Sequence, residues 1–172
     1  YLKLSKAFKD IRLKALDKLV WELRKVKDKT ELKYMRKAAE ITSLGVKTAL
    51  ETVRPGLREY EVAAEVEYAM RRLGSEGVAF ETIVASGIRS AFPHGGCTDK
   101  KIRKDDLVII DIGAKYQHYR ADMTRTVTVG NPSTKQRRIH ETVKEAQKKA
   151  FQSIKAKVRT CDVDKAAREH IK

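Results

Sequence analysis

Two cysteines, Cys97 and Cys161, are all that this 172-residue chain contains. A disulfide framework needs more, so the composition suits a reducing compartment. Uninterrupted apolar runs never exceed a few residues, which excludes a membrane-spanning helix. The opening Tyr1-Leu2-Lys3-Leu4-Ser5-Lys6 has neither an apolar h-region nor an initiator Met. A secretory signal is therefore not expected, and a cytoplasmic location is. Aromatic residues make up only 6% of the chain, and none interleave with its basic clusters. Without stacking rings or a recognisable module, the formal net charge of +15 does not point to a nucleic-acid partner. The basic excess concentrates in residues 1–37, which hold 13 Lys/Arg against 5 Asp/Glu. There Lys and Arg recur beside apolar stripes, as on a solvated basic face.

What is present is a heavily charged globular chain, 41% hydrophobic and 35% charged, long enough to bury a core. Residues 8–27 set Phe8, Ile11, Leu16, Leu19, Leu23 and Val26 close to a helical stripe. Asp28-Lys29-Thr30-Glu31 has the form of a capping box. It opens a helix to about Val53 with Leu32, Met35, Ala39, Val46, Leu50 and Val53 on one face, stopped by Pro55-Gly56. Glu59 to Leu73 repeats the pattern with Val62, Val66, Met70 and Leu73, and Gly74 ends it. The period then changes: Val78–Ala85, Leu107–Ile112 and Thr124–Val129 read as strands separated by Gly- and Pro-rich turns. Ser133-Thr134-Lys135-Gln136 caps a helix to about Lys155, and another begins near Cys161-Asp162 with Val163, Ala167 and Ile171 on its face. No stop signal follows it, which reads as an incomplete sequence. This order predicts an α+β domain with helices on one face of a largely antiparallel sheet.

Two aspartates carry the chemistry. Asp111 interrupts the apolar run Leu107–Ile112, and Asp122 enters the β-branched strand that follows. A buried ionised carboxylate must be paired, protonated or metal-bound. A hairpin near Tyr116-Gln117 would set the two directly opposite, about 5 Å apart. Two carboxylates that close repel by several kcal/mol, about 4 kcal/mol at 4 Å with an effective dielectric near 20, which a shared proton or a cation relieves. Metals held by bridging carboxylates activate water for hydrolysis. Three other readings stand beside a metal site: pairing with Arg120 or Arg125, a turn cap at Asp122, or a proton-sharing dyad. His94, on the turn Pro93-His94-Gly95-Gly96, is a candidate site residue, because loops held by a rigid sheet concentrate binding groups. His118, His140 and His170 read as turn and helix-surface residues, and the cysteines as small buried apolar groups.

Several stretches together resemble the pita-bread metallopeptidase family. They are Trp21 to Leu32, Phe80-Glu81-Thr82-Ile83-Val84-Ala85-Ser86-Gly87, Ser90-Ala91-Phe92-Pro93-His94-Gly95, Asp111-Ile112-Gly113-Ala114, and Tyr119-Arg120-Ala121-Asp122-Met123-Thr124-Arg125-Thr126. The likeness is to the proline-specific branch, that of prolidases (Xaa-Pro dipeptidases) and aminopeptidases P. It implies residues 21–172 as the N-terminal portion of a pita-bread catalytic domain, and residues 1–20 as the tail of a preceding domain and its linker. It further implies two divalent metal ions, Mn or Co by preference and Zn or Fe otherwise, with Asp111 and Asp122 as ligands. His94 would be catalytic and substrate-contacting, and Phe80 would line the substrate pocket. The substrate would be a peptide with proline in second position, and the assembly a homodimer.

The departure from that family is large. Its centre takes three further ligands, a histidine and two glutamates, and the sequence to Lys172 does not supply them. Taken alone, this chain is expected to be inactive and to bind metal weakly. The competing readings are a methionine aminopeptidase-like enzyme, a catalytically inactive pita-bread module binding peptide or histone, and a stand-alone polyanion-binding helical domain. Phe92-Pro93-His94-Gly95 favours the proline branch, and survival of both aspartates and His94 disfavours the inactive module.

Overall fold

The computed structural model describes residues 2–8, 14 and 16–172. Among them are six α-helices: α1 (Leu2–Ala7), α2 (Asp17–Lys25), α3 (Lys29–Thr52), α4 (Glu59–Arg72), α5 (Thr134–Ser153) and α6 (Thr160–Ile171). Six strands fill the middle: β1 (Gly77–Val78), β2 (Ile83–Ser86), β3 (Leu107–Ile112), β4 (Ala114–Tyr116), β5 (Tyr119–Arg120) and β6 (Met123–Thr128). They form two antiparallel three-stranded sheets, ordered β2-β3-β6 and β1-β4-β5. No helix among the described residues is long and apolar enough to cross a membrane.

The local signals mostly survive. Asp28 and Ser133 each accept from the backbone three residues on, and Glu31 and Gln136 reciprocate, so both capping boxes form. Gly74, at φ +94°, takes the left-handed turn that ends α4. Within the stretch read as one helix over 8–27, Ile11 lies outside the described residues. The described helix there is α2, whose Leu19, Val20, Trp21 and Leu23 are all exposed.

Two readings are corrected. The buried face of α3 is Ala38, Ile41, Thr42, Gly45, Val46 and Ala49, whereas Leu32, Ala39 and Leu50 are exposed. Small residues win that face because the neighbours come close: a Cβ on Gly45 would lie 2.8 Å from Met70 Cγ and 3.1 Å from Ile112 Cδ1. Thr42 uses its hydroxyl to accept from the Ala114 amide at 2.9 Å, tying α3 to β4. The predicted strand Val78–Ala85 is two strands in different sheets, β1 and β2, with Phe80 on the bend between them.

The core lies between α3, α4 and one face of the larger sheet. Ile41, Val62, Val66 and Met70 meet Val84, Val108, Ile110 and Ile112. In β3 burial alternates residue by residue, so Leu107, Ile109 and Asp111 turn to the other, partly open face. Between β3 and β6 the chain makes a detour through the β4–β5 hairpin, turned by Gln117 and His118 with φ of 47° and 66°.

Gly113 is where the chain leaves one sheet for the other. Its carbonyl accepts from the Ala79 amide at 2.7 Å. A Cβ there would collide with the Ala121 carbonyl oxygen and come within 2.8 Å of Phe80 Cε1. Gly113→Ala should therefore destabilise the fold by about 1–3 kcal/mol, the usual range for overpacking. The check is a lower denaturant midpoint with an unchanged slope.

Candidate active site

The pleat of β3 delivers Asp111 to the sheet face away from the helices, half-buried rather than sealed in the core. This corrects the expectation of a fully buried carboxylate: Ile110 and Ile112 are buried because they point the opposite way. Asp111 Oδ1 accepts from the Thr124 hydroxyl at 2.8 Å. Thr124, not Asp122, is its partner in register. Asp122 lies just before β6 and is exposed. The predicted direct opposition fails because the hairpin turns at Gln117-His118, one residue later than expected, so the register pairs Asp111 with Thr124 and brings Asp122 level with Gly113.

An offset of two residues nonetheless keeps both carboxylates on one face. Partial loss of solvent raises the Asp122 carboxyl above its ordinary range. The negative charge of Asp111 adds to this, as does a hydrogen bond in which protonated Asp122 donates to Asp111. Arg120 donates to the Ala79 carbonyl and Arg125 to the Thr124 carbonyl, so neither neutralises the pair. Among the described residues neither aspartate has a salt-bridge partner. What remains is a shared proton or a cation. An all-carboxylate donor pair fits a divalent ion, yet two donors make only part of a centre. Among the described residues no cluster of three or more His, Cys, Asp or Glu side chains is grouped to hold a metal.

A cleft of about 330 Å³ is lined by Phe80, Glu81, Ile83, His94, Gly96, Asp111 and Asp122. The four residues singled out from the sequence thus come together from four separate segments. Phe80 lies half-buried against Gly113, and His94 is exposed on the turn after the 3-10 helix Gly87–Ala91. Glu81 was missed. Its signal was a carboxylate inside the stretch Val78 to Ile83, the same kind that singled out Asp111. The cysteines are not inert core residues: Cys161 is exposed, while Cys97 donates to the Thr82 carbonyl at 3.1 Å and accepts from the Val84 amide at 3.2 Å.

The other missed residue is Glu59, the first of α4, where an acid reads simply as a partner for the helix dipole. It is 0% exposed. Its carboxylate accepts five hydrogen bonds: from the Ser86 amide and hydroxyl, both at 2.8 Å, from Arg89 Nε at 3.0 Å, and from the Thr98 amide and hydroxyl at 3.1 and 2.6 Å. Lys100 Nζ donates to the Ser86 hydroxyl at 2.7 Å and to Asp106 at 2.8 Å. Burial alone would raise the Glu59 carboxyl. The bonds from Thr98, Ser86 and Arg89 outweigh it and hold the group below its ordinary value.

The profile of metallopeptidase family M24 matches residues 33–172. The chain belongs to metallopeptidase family M24. It is 49% identical over 159 residues to an Xaa-Pro dipeptidase of Pyrococcus furiosus, covering 92% of this chain and 46% of that protein. An Xaa-Pro dipeptidase of Pyrococcus horikoshii is 48% identical, over 92% of this chain and 45% of its own length. The prolidase structure from Pyrococcus furiosus superposes with a TM-score of 0.95 at 45% identity, over 99% of this chain and 52% of that one. An X-Pro aminopeptidase of Thermotoga maritima gives a TM-score of 0.92 at 43% identity, over 99% and 48%. The M24 chain thus has the N-terminal half of the pita-bread fold, and it spans about half the length of the relatives it matches.

The depressed Glu59 carboxyl sets a pH dependence on the stability of this M24 chain. Its contribution is complete above the ordinary glutamate value of 4.5 and is lost as pH falls through the lower folded value. Glu59→Gln should cost about 1–3 kcal/mol at neutral pH, the cost of leaving buried donors poorly paired. Urea midpoints of the two proteins should converge as the medium is acidified below 4.5.

Proposed function

We propose that the protein carrying this chain hydrolyses Xaa-Pro peptide bonds at a two-metal centre, with Asp111 and Asp122 as ligands. The observation that carries this reading is one cleft containing both carboxylates, His94 and Phe80, in an M24 chain 49% identical to an Xaa-Pro dipeptidase. Two neighbouring carboxylates without a protein cation are suited to bridging divalent ions, Mn or Co by preference and Zn or Fe otherwise. Such ions, when bound, supply a Lewis acid and lower the pKa of water. His94 donates a hydrogen bond to the substrate carbonyl oxygen as it gains charge. The face of Phe80 receives the apolar ring of the proline. Since an Xaa-Pro amide has no N–H, the cleft needs no acceptor for one.

In this reading residues 21–172 form the N-terminal portion of the catalytic domain, and residues 1–20 the end of a preceding domain and linker. The remaining ligands, a histidine and two glutamates, come from outside residues 1–172. A homodimer in the cytoplasm completes the proposal.

The test uses the intact protein and a dipeptide ending in proline. Cleavage should require Mn or Co and vanish on chelation. No cleavage under either condition by a protein with all five ligands would overturn the proposal. Asp111→Asn should abolish metal uptake measured by elemental analysis, and unchanged metal content would make the pair structural. His94→Ala should leave metal content intact and lower kcat about 100-fold, the scale of losing one charge-stabilising donor.

A further inference from the structure

His94 has an exposed imidazole and no hydrogen-bond partner among the described residues, so its position is set by its backbone. That backbone runs straight into Gly95 and Gly96, which by themselves impose little conformational order. The order comes from Arg89. Its Nε donates to the buried Glu59 carboxylate at 3.0 Å, while Nη2 donates to the Gly95 carbonyl and reaches the Gly96 carbonyl at 3.4 Å. The Arg89 carbonyl accepts from the Phe92 amide at 3.0 Å, and the Phe92 carbonyl from the Gly95 amide at 3.2 Å. The chain after His94 is therefore fastened to the Arg89 guanidinium, and Phe92 before it to the Arg89 backbone carbonyl. Glu59 also anchors the two ends of this loop, at Ser86 and at Thr98.

We propose that Arg89, locked by Glu59, is the positioning residue that holds His94 over the cleft containing Asp111 and Asp122. The inference rests on the role given to His94 above. An arginine present only to balance Glu59 would need the Nε contact alone, but here the second arm of the fork turns into the carbonyls after His94. Lysine keeps the charge and cannot span both directions, because its ammonium is a point donor.

The experiment uses the intact protein with Arg89→Met and Arg89→Lys, each also combined with His94→Ala. Amide hydrogen exchange over residues 92–98, metal content, and kcat and KM on an Xaa-Pro dipeptide are measured. Both single variants should exchange about tenfold faster in this segment and keep their metal. Their kcat should fall about 10- to 100-fold with little change in KM, the scale of a displacement near 1 Å. In the His94→Ala background neither should lower kcat further. Unchanged exchange overturns the clamp, and an equal kcat loss in both backgrounds overturns action through His94. If Arg89→Met does not fold, Arg89→Lys decides, since it keeps a cation beside Glu59. If the wild-type protein cuts no Xaa-Pro dipeptide, the functional reading fails and the positioning role falls with it, while exchange still tells whether the clamp exists.

Discussion

The two-residue period of β3 holds the domain and its cleft in one register. Val108, Ile110 and Ile112 are fully buried against α3 and α4, and the residues between them face away. A slip by one residue would drive Asp111 among Ile41, Met70 and Val66 and leave the isoleucines outside. An unpaired carboxylate in such surroundings costs several kcal/mol and would be forced to protonate. The hydrophobic energy that docks the helices is therefore also what aims Asp111. Its neighbours across the sheet, Ile83 on β2 and Thr124 on β6, inherit the same register, and both bear on the site.

A second constraint acts on the loops. Phe80, His94 and Asp122 all lie off the strands, where chain entropy works against fixed geometry. Each is fastened differently. Phe80 rests on Gly113, where no larger residue fits; Asp122 follows the β4–β5 hairpin; and the His94 turn hangs on Glu59 and Arg89. A fully buried carboxylate is tolerable here because five donors converge on it. They come from segments as far apart in sequence as Ser86 and Thr98, so the network orders the loop while it satisfies the charge.

The chain belongs to family M24 and spans about half the length of the relatives it matches. Much of this was legible beforehand. Asp28 and Ser133 announced their helices because capping is decided within four residues. Gly74 announced a helix end because only a residue without Cβ takes that turn cheaply. The four site candidates were legible as motif, and the cleft brings them together. The misreadings share a cause. Leu32 and Leu50 looked like core because hydrophobicity alone was counted, whereas α3 buries Gly45 and Thr42, whose small size admits Met70 and Ile112. The break between β1 and β2 at Phe80 follows from the crossing at Gly113, thirty-odd residues away.

Elements whose causes are local can be read directly along the chain: capped helices, glycine stops, the alternation of β3, and the paired appearance of Asp111 and Asp122. Their motif context also carried the family. Long-range packing is what sets Asp111 opposite Thr124, brings Glu81 into the cleft, and makes Glu59 a buried hub rather than a helix-end acid. Those outcomes depend on which distant segments meet. Burial, pairing and the charge state of a carboxylate are properties of the assembled surroundings, and no window of neighbouring residues contains them.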